Sequence, residues 1–197
     1  MRRRVLDEAW TLAAQRGWDR VRVADLAQRA EVSRPSLYAE FGDRAGIGQA
    51  LVRREAERFL TGLADVLDRH RTDVGLALQA GVAHALDQAE HNPFIEAVLN
   101  AARGGTDALL PFLTSRPEPV FSGAWTLVCA WLGDVLPQVD DDRRTEAADL
   151  LVRLSISHML LPPPEPGTAP ARVARAACAV LGIAPPPAPP PGHGLTT

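Results

Sequence analysis

Cysteine is scarce in this 197-residue chain: only Cys129 and Cys178 are present, each in an apolar helical context, with neither a CxxC spacing nor a paired-histidine motif nearby. That pattern excludes a disulfide framework and a structural zinc site. Long apolar runs are missing as well. The strongly apolar, charge-free run from Val120 to Gly133 holds 14 residues, against about 20 needed to cross a hydrocarbon core, so no membrane partner is expected. The Met1-Arg2-Arg3-Arg4 start has the charge of a secretory leader, but Asp7 and Glu8 stand where its apolar segment belongs. The expected location is therefore the cytoplasm. Alternating apolar and polar runs bounded by Asn-Gly or Asp-Gly turns are lacking too, which removes the hairpin signals of a β protein. Lysine is absent altogether, all 21 basic side chains being arginine; this is a bias of composition and carries no functional argument.

What is present reads as globular, with 46% hydrophobic and 23% charged residues. The net charge of -3 is unevenly spread: residues 1–58 hold 12 arginines and 9 acids, a balance of +3, and the remainder carries -6. A weakly basic front on an acidic body suggests two jobs, one of them facing phosphate. Apolar spacing is helical throughout and predicts an all-α protein. Helices are expected over Arg2 to Arg16, about Val23 to Ala30, Arg34 to Phe41, and from Asp43 toward His70. Further ones are expected over Val74 to about His91, Pro93 to Ala102, Thr106 to Thr114, Arg116 to Leu136, Asp140 to Leu161 and Ala169 to Leu181. The helix ending near Leu161 has two apolar stripes, one through Ala147, Leu150, Leu151, Leu154 and Leu161, the other through Ala148, Val152, Ile156 and Met159. Two apolar faces need two partners, and a second copy of the chain supplies one of them. The second stripe is taken as the expected homodimer interface, with the first as its alternative.

Residues Val23 to Phe41 fit a helix-turn-helix, with Leu26, Ala27, Ala30, Val32 and Leu37 as its small core. Ser33 can cap the second helix, and Pro35 falls in the first turn, where a missing N–H does no harm. The wider run resembles the N-terminal domain of the tetracycline-repressor (TetR) family. It carries Val5-Leu6-Asp7-Glu8-Ala9, Arg16-Gly17-Trp18-Asp19, Val23-Ala24-Asp25-Leu26-Ala27, Val32-Ser33, Leu37-Tyr38 and Phe41-Gly42-Asp43-Arg44. The resemblance implies a dimeric, helical transcription regulator, expected to be a repressor released from its double-stranded DNA operator by a small-molecule effector, with no cofactor. It also implies a helix-turn-helix domain over 1–45 and a helical ligand-binding and dimerisation domain over 46–183. A proline-rich tail over 184–197 is expected to be disordered, from its composition.

The expected DNA-binding residues are Arg22, Ser33, Arg34, Pro35, Ser36, Tyr38 and Arg44: Arg34 and Ser36 at base edges, Tyr38 and Arg44 on phosphate. The sequence departs from the family at Glu31, where a glycine is usual, at Arg22, which replaces a capping threonine, and at Gly46 and Gly48. The two glycines each cost about 1 kcal/mol relative to alanine, so the start of the fourth helix is expected to be a soft hinge. An effector pocket of apolar character is expected among Leu86, Phe94, Leu110, Phe112, Phe121, Trp125 and Cys129. His84, His91 and His158 are read as ordinary histidines, and no metal is expected. Two rival readings are an all-α adaptor with a degenerate helix-turn-helix and an all-α enzyme. The first is opposed by Arg34, Tyr38 and Arg44. The second is opposed by the lack of a nucleophile–base pair, phosphate loop or paired carboxylates on one helix face, and no catalytic residue is assigned.

Overall fold

The computed structural model describes residues 1–92, 95, 118–161 and 167–186, and in α6 below the side chains from residue 122 onward. The elements described are all helical: α1 (Arg2–Arg16), a 3-10 turn (Trp18–Arg20), α2 (Val23–Arg29), α3 (Arg34–Phe41), α4 (Arg44–Arg69), α5 (Val74–His91), α6 (Glu118–Val135), α7 (Asp141–Leu160) and α8 (Ala169–Leu181). The helices expected over 93–102 and 106–114 lie outside the described residues. Packing divides the chain into two units, one of residues 1–61 and 88–123, the other of residues 62–87 and 124–197.

The first unit has one apolar core, to which α1 contributes Val5, Leu6, Ala9, Leu12 and Ala13, α2 Leu26 and Ala27, and α3 Leu37 and Phe41. Leu37 is fully buried, worth roughly 1.5–3 kcal/mol for the side chain. The same core takes Ile47, Ala50, Leu51 and Val52 from α4, so a domain ending at residue 45 stops short of the residues that close it. Ion pairs then fasten α1 to α4. Arg54, with its side chain only 14% exposed, reaches Asp7 Oδ1 at 2.7 Å and donates to the Leu6 carbonyl at 3.1 Å. It also meets the buried Glu55 at 2.9 Å, which takes Arg58 at 3.0 Å as well.

In the second unit the buried face of α5 is Gly75, Ala77, Leu78, Gly81, Val82 and Ala85, rotated from the face that the i, i+4 spacing of Val74, Leu78, Val82 and Leu86 marks out in the sequence. The rotation follows from the glycines. A Cβ at Gly81 would lie 3.2 Å from Leu67 Cδ2, and one at Gly75 would lie 3.0 Å from Pro186 N, so both glycines admit a close neighbour. Pro186 is buried, which means that the tail expected to be unpacked from residue 184 is still packed there.

α8 lies along α7, and the buried residues of α7 are Ala147, Ala148, Leu151, Val152 and Ser155. This corrects the expected dimer interface. Ala148 is 0% and Val152 8% exposed within a single chain, so these two fill its own core, while Ile156 and Met159 are half-buried. The apolar residues that α7 leaves outward are Leu154, 37% exposed, and half-buried Leu150, with Leu161 just beyond its end at 75%. Two adjacent arginines at the start of α7 tie off neighbouring helix ends, Arg144 donating to Leu136 O at 3.0 Å and Arg143 to Val180 O at 2.8 Å. Orphan carbonyls and a cation meet there, as the helix dipole favours.

Candidate nucleic-acid interface

The turn between α2 and α3 is built from residues 30–33. Glu31 sits in the left-handed region at φ 51°, where glycine is usual; for a non-glycine residue this costs roughly 1–2 kcal/mol. The strain is held in place by Val32 N donating to Ala27 O at 2.9 Å and by Arg4, which pairs with the Glu31 carboxylate at 3.2 Å. Ser33 then caps α3, its Oγ accepting from Ser36 N at 3.2 Å and lying 2.8 Å from Ser36 Oγ. Pro35 occupies the first turn, where its missing N–H leaves no intrahelical bond unmade.

With Leu37 and Phe41 turned into the core, α3 presents its other face outward. Arg34, Pro35 and Tyr38 are exposed, Tyr38 at 48%, and Ser36 is half-buried with its hydroxyl tied to Ser33. The Ser33-capped helix thus carries an arginine and a tyrosine hydroxyl on its open face, groups that can meet a phosphate or a base edge.

The arginines around this face divide into two groups. Arg2 pairs with Glu40 at 2.9 Å and lies 5.1 Å over the Phe41 ring; Arg16 pairs with Asp25; Arg29 pairs with Glu8 at 3.2 Å. Arg2, Arg3 and Arg4 are all exposed, yet Arg2 already belongs to α1 and the first turn is tied down by these pairs, so the N-terminus is not a loose arm. Arg22 and Arg34, by contrast, are exposed and have no hydrogen-bond or ion-pair partner among the described residues. Arg44 departs from its expected place on phosphate. Its Nε donates to Val21 O at 3.0 Å, a terminal N–H donates to Trp18 O, and its guanidinium stacks 5.2 Å from the centre of the Trp18 ring. A fork that grips two carbonyls and an indole is a structural brace.

The hinge expected at Gly46 and Gly48 also changes meaning. A Cβ at Gly46 would overlap the Phe41 carbonyl oxygen, and one at Gly48 would sit 3.1 Å from Trp18 Cζ2. At Gly46 the Phe41 backbone comes too close for any side chain, whereas at Gly48 the Trp18 indole would have to give by a few tenths of an ångström. Sequence reasoning missed the Arg54 clamp and the 3-10 turn altogether; three residues are too few to show a period.

In the second unit Leu86, Trp125 and Cys129 of the expected pocket are half-buried. Phe94, Leu110 and Phe112 lie outside the described residues, as does the side chain of Phe121. Trp131 is buried and donates to Asp68 Oδ1 at 3.0 Å, and Asp134 is exposed. Burial pushes the Cys129 thiol above its ordinary pKa, aided by Asp141 and Asp149, and does the same for Cys178 with help from Asp73; both are held as unreactive thiols. Burial pulls His84 below the ordinary histidine range, with Arg69 acting in the same sense and Asp87 against it. Among the described residues no group of three His, Cys, Asp or Glu side chains is placed to hold a metal ion, and no helix is long and apolar enough to cross a membrane.

Comparison with known proteins matches two family models in succession. Residues 5–51 match the bacterial regulatory proteins of the tetR family, and residues 73–179, more than half of the chain, match the bacterial tetracyclin repressor C-terminal domain. The chain is similar to the HTH-type transcriptional regulator AlkX of Mycobacterium tuberculosis, at 25% identity over 163 residues, 83% of this chain and 76% of that protein. It is similar in structure to the TetR family repressor AlkX of Dietzia sp. strain DQ12-45-1b, implicated in biodegradation of n-alkanes. There the TM-score is 0.69 at 27% identity, covering 92% of this chain and 96% of that one. A TetR-family regulator of Pectobacterium atrosepticum shares the fold at 20% identity, with a TM-score of 0.65 over 91% of each chain.

Proposed function

The chain belongs to the tetracycline-repressor family of ligand-responsive, DNA-binding transcriptional regulators, and from that premise we propose that its α3 face reads an operator through Arg34, with Pro35, Ser36 and Tyr38 around it. The single observation that carries this reading is the α3 surface itself. A capped helix buries Leu37 and Phe41 and turns an unpartnered arginine and a half-exposed tyrosine outward. Arg34 at the first position of α3 suits bidentate contact with guanine in the major groove, and Tyr38, one turn on, suits a phosphate. Ser33 acts through the cap rather than by touching DNA, and Arg22 reaches the backbone from the start of α2. Regulators of this family act as dimers on DNA operators and respond to small molecules; they are not enzymes. For this chain the dimer is proposed to form through the outward apolar edge of α7, at Leu150 and Leu154, and through Leu161 beyond it.

The effector is proposed to be small and apolar. Half-buried Leu86, Trp125 and Cys129 support that reading, as do the -6 balance of residues 59–197 and the likeness to a repressor implicated in n-alkane biodegradation. The test begins with selection of duplexes from a random-sequence library by the wild-type protein. Wild type should enrich a two-fold symmetric sequence with half-sites about 34–36 Å apart or slightly more. Arg34→Ala should lose preference at one base pair per half-site, worth roughly 1–3 kcal/mol, while Tyr38→Phe should weaken all duplexes alike. Enrichment of no duplex, or an unchanged sequence preference in Arg34→Ala, would overturn the reading. A medium-chain n-alkane and its terminal alcohol and acid are the first effectors to try, read by release of the enriched duplex.

A further inference from the structure

We infer that Arg20 and Arg22 form a second DNA contact, a phosphate clamp at the joint between α1 and α2, with Arg44 as the positioning residue that mounts it. The inference rests on the DNA-binding reading above and adds to it a residue, Arg20, and a surface outside the helix-turn-helix. Residues 1–58 contain 12 arginines. Seven of them are spent on acids or carbonyls of the same unit: Arg2, Arg4, Arg16, Arg29, Arg54 and Arg58 in ion pairs, and Arg44 on Trp18 and Val21. The modest +3 of this segment is thus concentrated in the others. Arg20, Arg22 and Arg34 are the three that flank α2 and α3, all exposed and all without a partner among the described residues.

Arg20 and Arg22 open onto a surface depression of about 630 Å³ lined also by Arg16, Asp19 and Asp25. Arg16 and Asp25 neutralise each other across it. Arg20 and Arg22 are the exposed cations of this depression, and they suit a phosphodiester. The first helix of a helix-turn-helix crosses the DNA backbone, and Arg22 immediately precedes that helix.

The mount is rigid. Between the two arginines Val21 is buried, and its N–H donates to Trp18 O at 3.0 Å, while Arg20 N donates to Gly17 O at 3.3 Å. Arg44 grips Trp18 O and Val21 O from α4 and stacks on the fully buried Trp18 ring. This brace fixes the segment that carries Arg20 and Arg22, so little entropy is lost when phosphate binds.

The experiment measures affinity for the library-enriched duplex against salt concentration. Arg20→Gln is the primary variant, because the exposed side chain has no hydrogen-bond or ion-pair partner among the described residues, and its melting temperature should equal that of wild type. Each phosphate contact contributes about 0.9 to the slope of log affinity on log salt, so losing one per protomer of a dimer lowers the slope by about 1.8. Between 50 and 200 mM salt, wild type should therefore lose about tenfold more affinity than Arg20→Gln, with the same preferred sequence for both. Arg44→Lys keeps the charge without the fork; it should lower the slope similarly, and adding Arg20→Gln to it should change little more. An Arg20→Gln line parallel to that of wild type would overturn the clamp while the enriched duplex leaves the DNA-binding reading standing. A full additional loss from Arg20→Gln in the Arg44→Lys background would overturn the positioning role.

Discussion

Replacing Gly46 by alanine should destabilise the protein, against the sign that helix propensity alone predicts. Gly46 is the third residue of α4, and there alanine gains about 1 kcal/mol as the better helix former. The added Cβ, however, would overlap the Phe41 carbonyl oxygen and lie 3.0 Å from the Phe41 carbonyl carbon. That atom is backbone, at the last residue of α3, and cannot rotate away. Relief requires moving the start of α4 off the end of α3. Such a shift also loosens the bond from Gly46 N to Asp43 Oδ1 at 2.7 Å, a cap worth about 1 kcal/mol. Overpacking in a tight site costs about 1–3 kcal/mol, so the net loss is about 1–3 kcal/mol. Gly48→Ala is the internal control. Its Cβ would meet the Trp18 indole at 3.1–3.3 Å, where an overpacking cost of about 1 kcal/mol nearly cancels the propensity gain. In urea titrations followed by far-ultraviolet circular dichroism, at a slope of about 2 kcal/mol/M, the Gly46→Ala midpoint should fall by about 0.5–1.5 M, with Gly48→Ala close to wild type. A Gly46→Ala protein as stable as wild type would show that this contact does not hold the two helices as described.

Two further expectations follow from burial. His84 has its pKa lowered mainly by burial, so below about 6.5 the unfolded chain binds a proton that the folded chain resists. Stability should fall as pH drops from 7 toward 5.5, and His84→Gln should flatten that fall in thermal melts; an equally steep fall in the variant would assign the pH response to other groups. Leu154→Glu, on the outward edge of α7, should yield a folded monomer in sedimentation, whereas Val152→Glu, 8% exposed within the chain, should not fold; a dimeric Leu154→Glu protein would remove this edge from the interface.

The bounds of α1 and α3 were legible in the sequence because punctuation sets them. Gly17 closes the first, and Ser33, Pro35 and Gly42 frame the second. The left-handed Glu31 was marked only by the resemblance, which puts a glycine at that place in the turn. The two apolar stripes of α7 were read from spacing, but the face that goes inside takes Ala147 and Leu151 from one and Ala148 and Val152 from the other, because burial depends on where α8 lies and no spacing within α7 encodes it. Gly46 and Gly48 show the limit in another form. Propensity registers only their cost, while their purpose is the approach of Phe41 and Trp18, which are close in space. Arg44 was placed correctly at the root of α4, but its carbonyl partners belong to a 3-10 turn too short to carry a periodic signal. The pocket was the least legible part, since half-buried Leu86 and Trp125 follow no local rule that separates a lining residue from a core one.

These contacts make the first turns of α4 part of the DNA-reading head rather than a connection to it. Arg44 braces the Trp18–Val21 segment, the Gly46 backbone abuts the end of α3, Gly48 admits the Trp18 ring, and Ile47, Leu51 and Val52 lie in the head's core. Arg54 then ties the next turn to Asp7 and to the Leu6 carbonyl of α1. A displacement of residues 44–54 therefore carries the recognition helix with it, because bending within that span would uncover apolar core and leave Glu55, whose side chain is 7% exposed, with one cation in place of two. Uncovering a buried Ile or Leu costs roughly 1.5–3 kcal/mol each, whereas a coupling of about 1–3 kcal/mol is enough to change DNA affinity about 5- to 150-fold. The head is too stiff to be the element that yields when an effector binds.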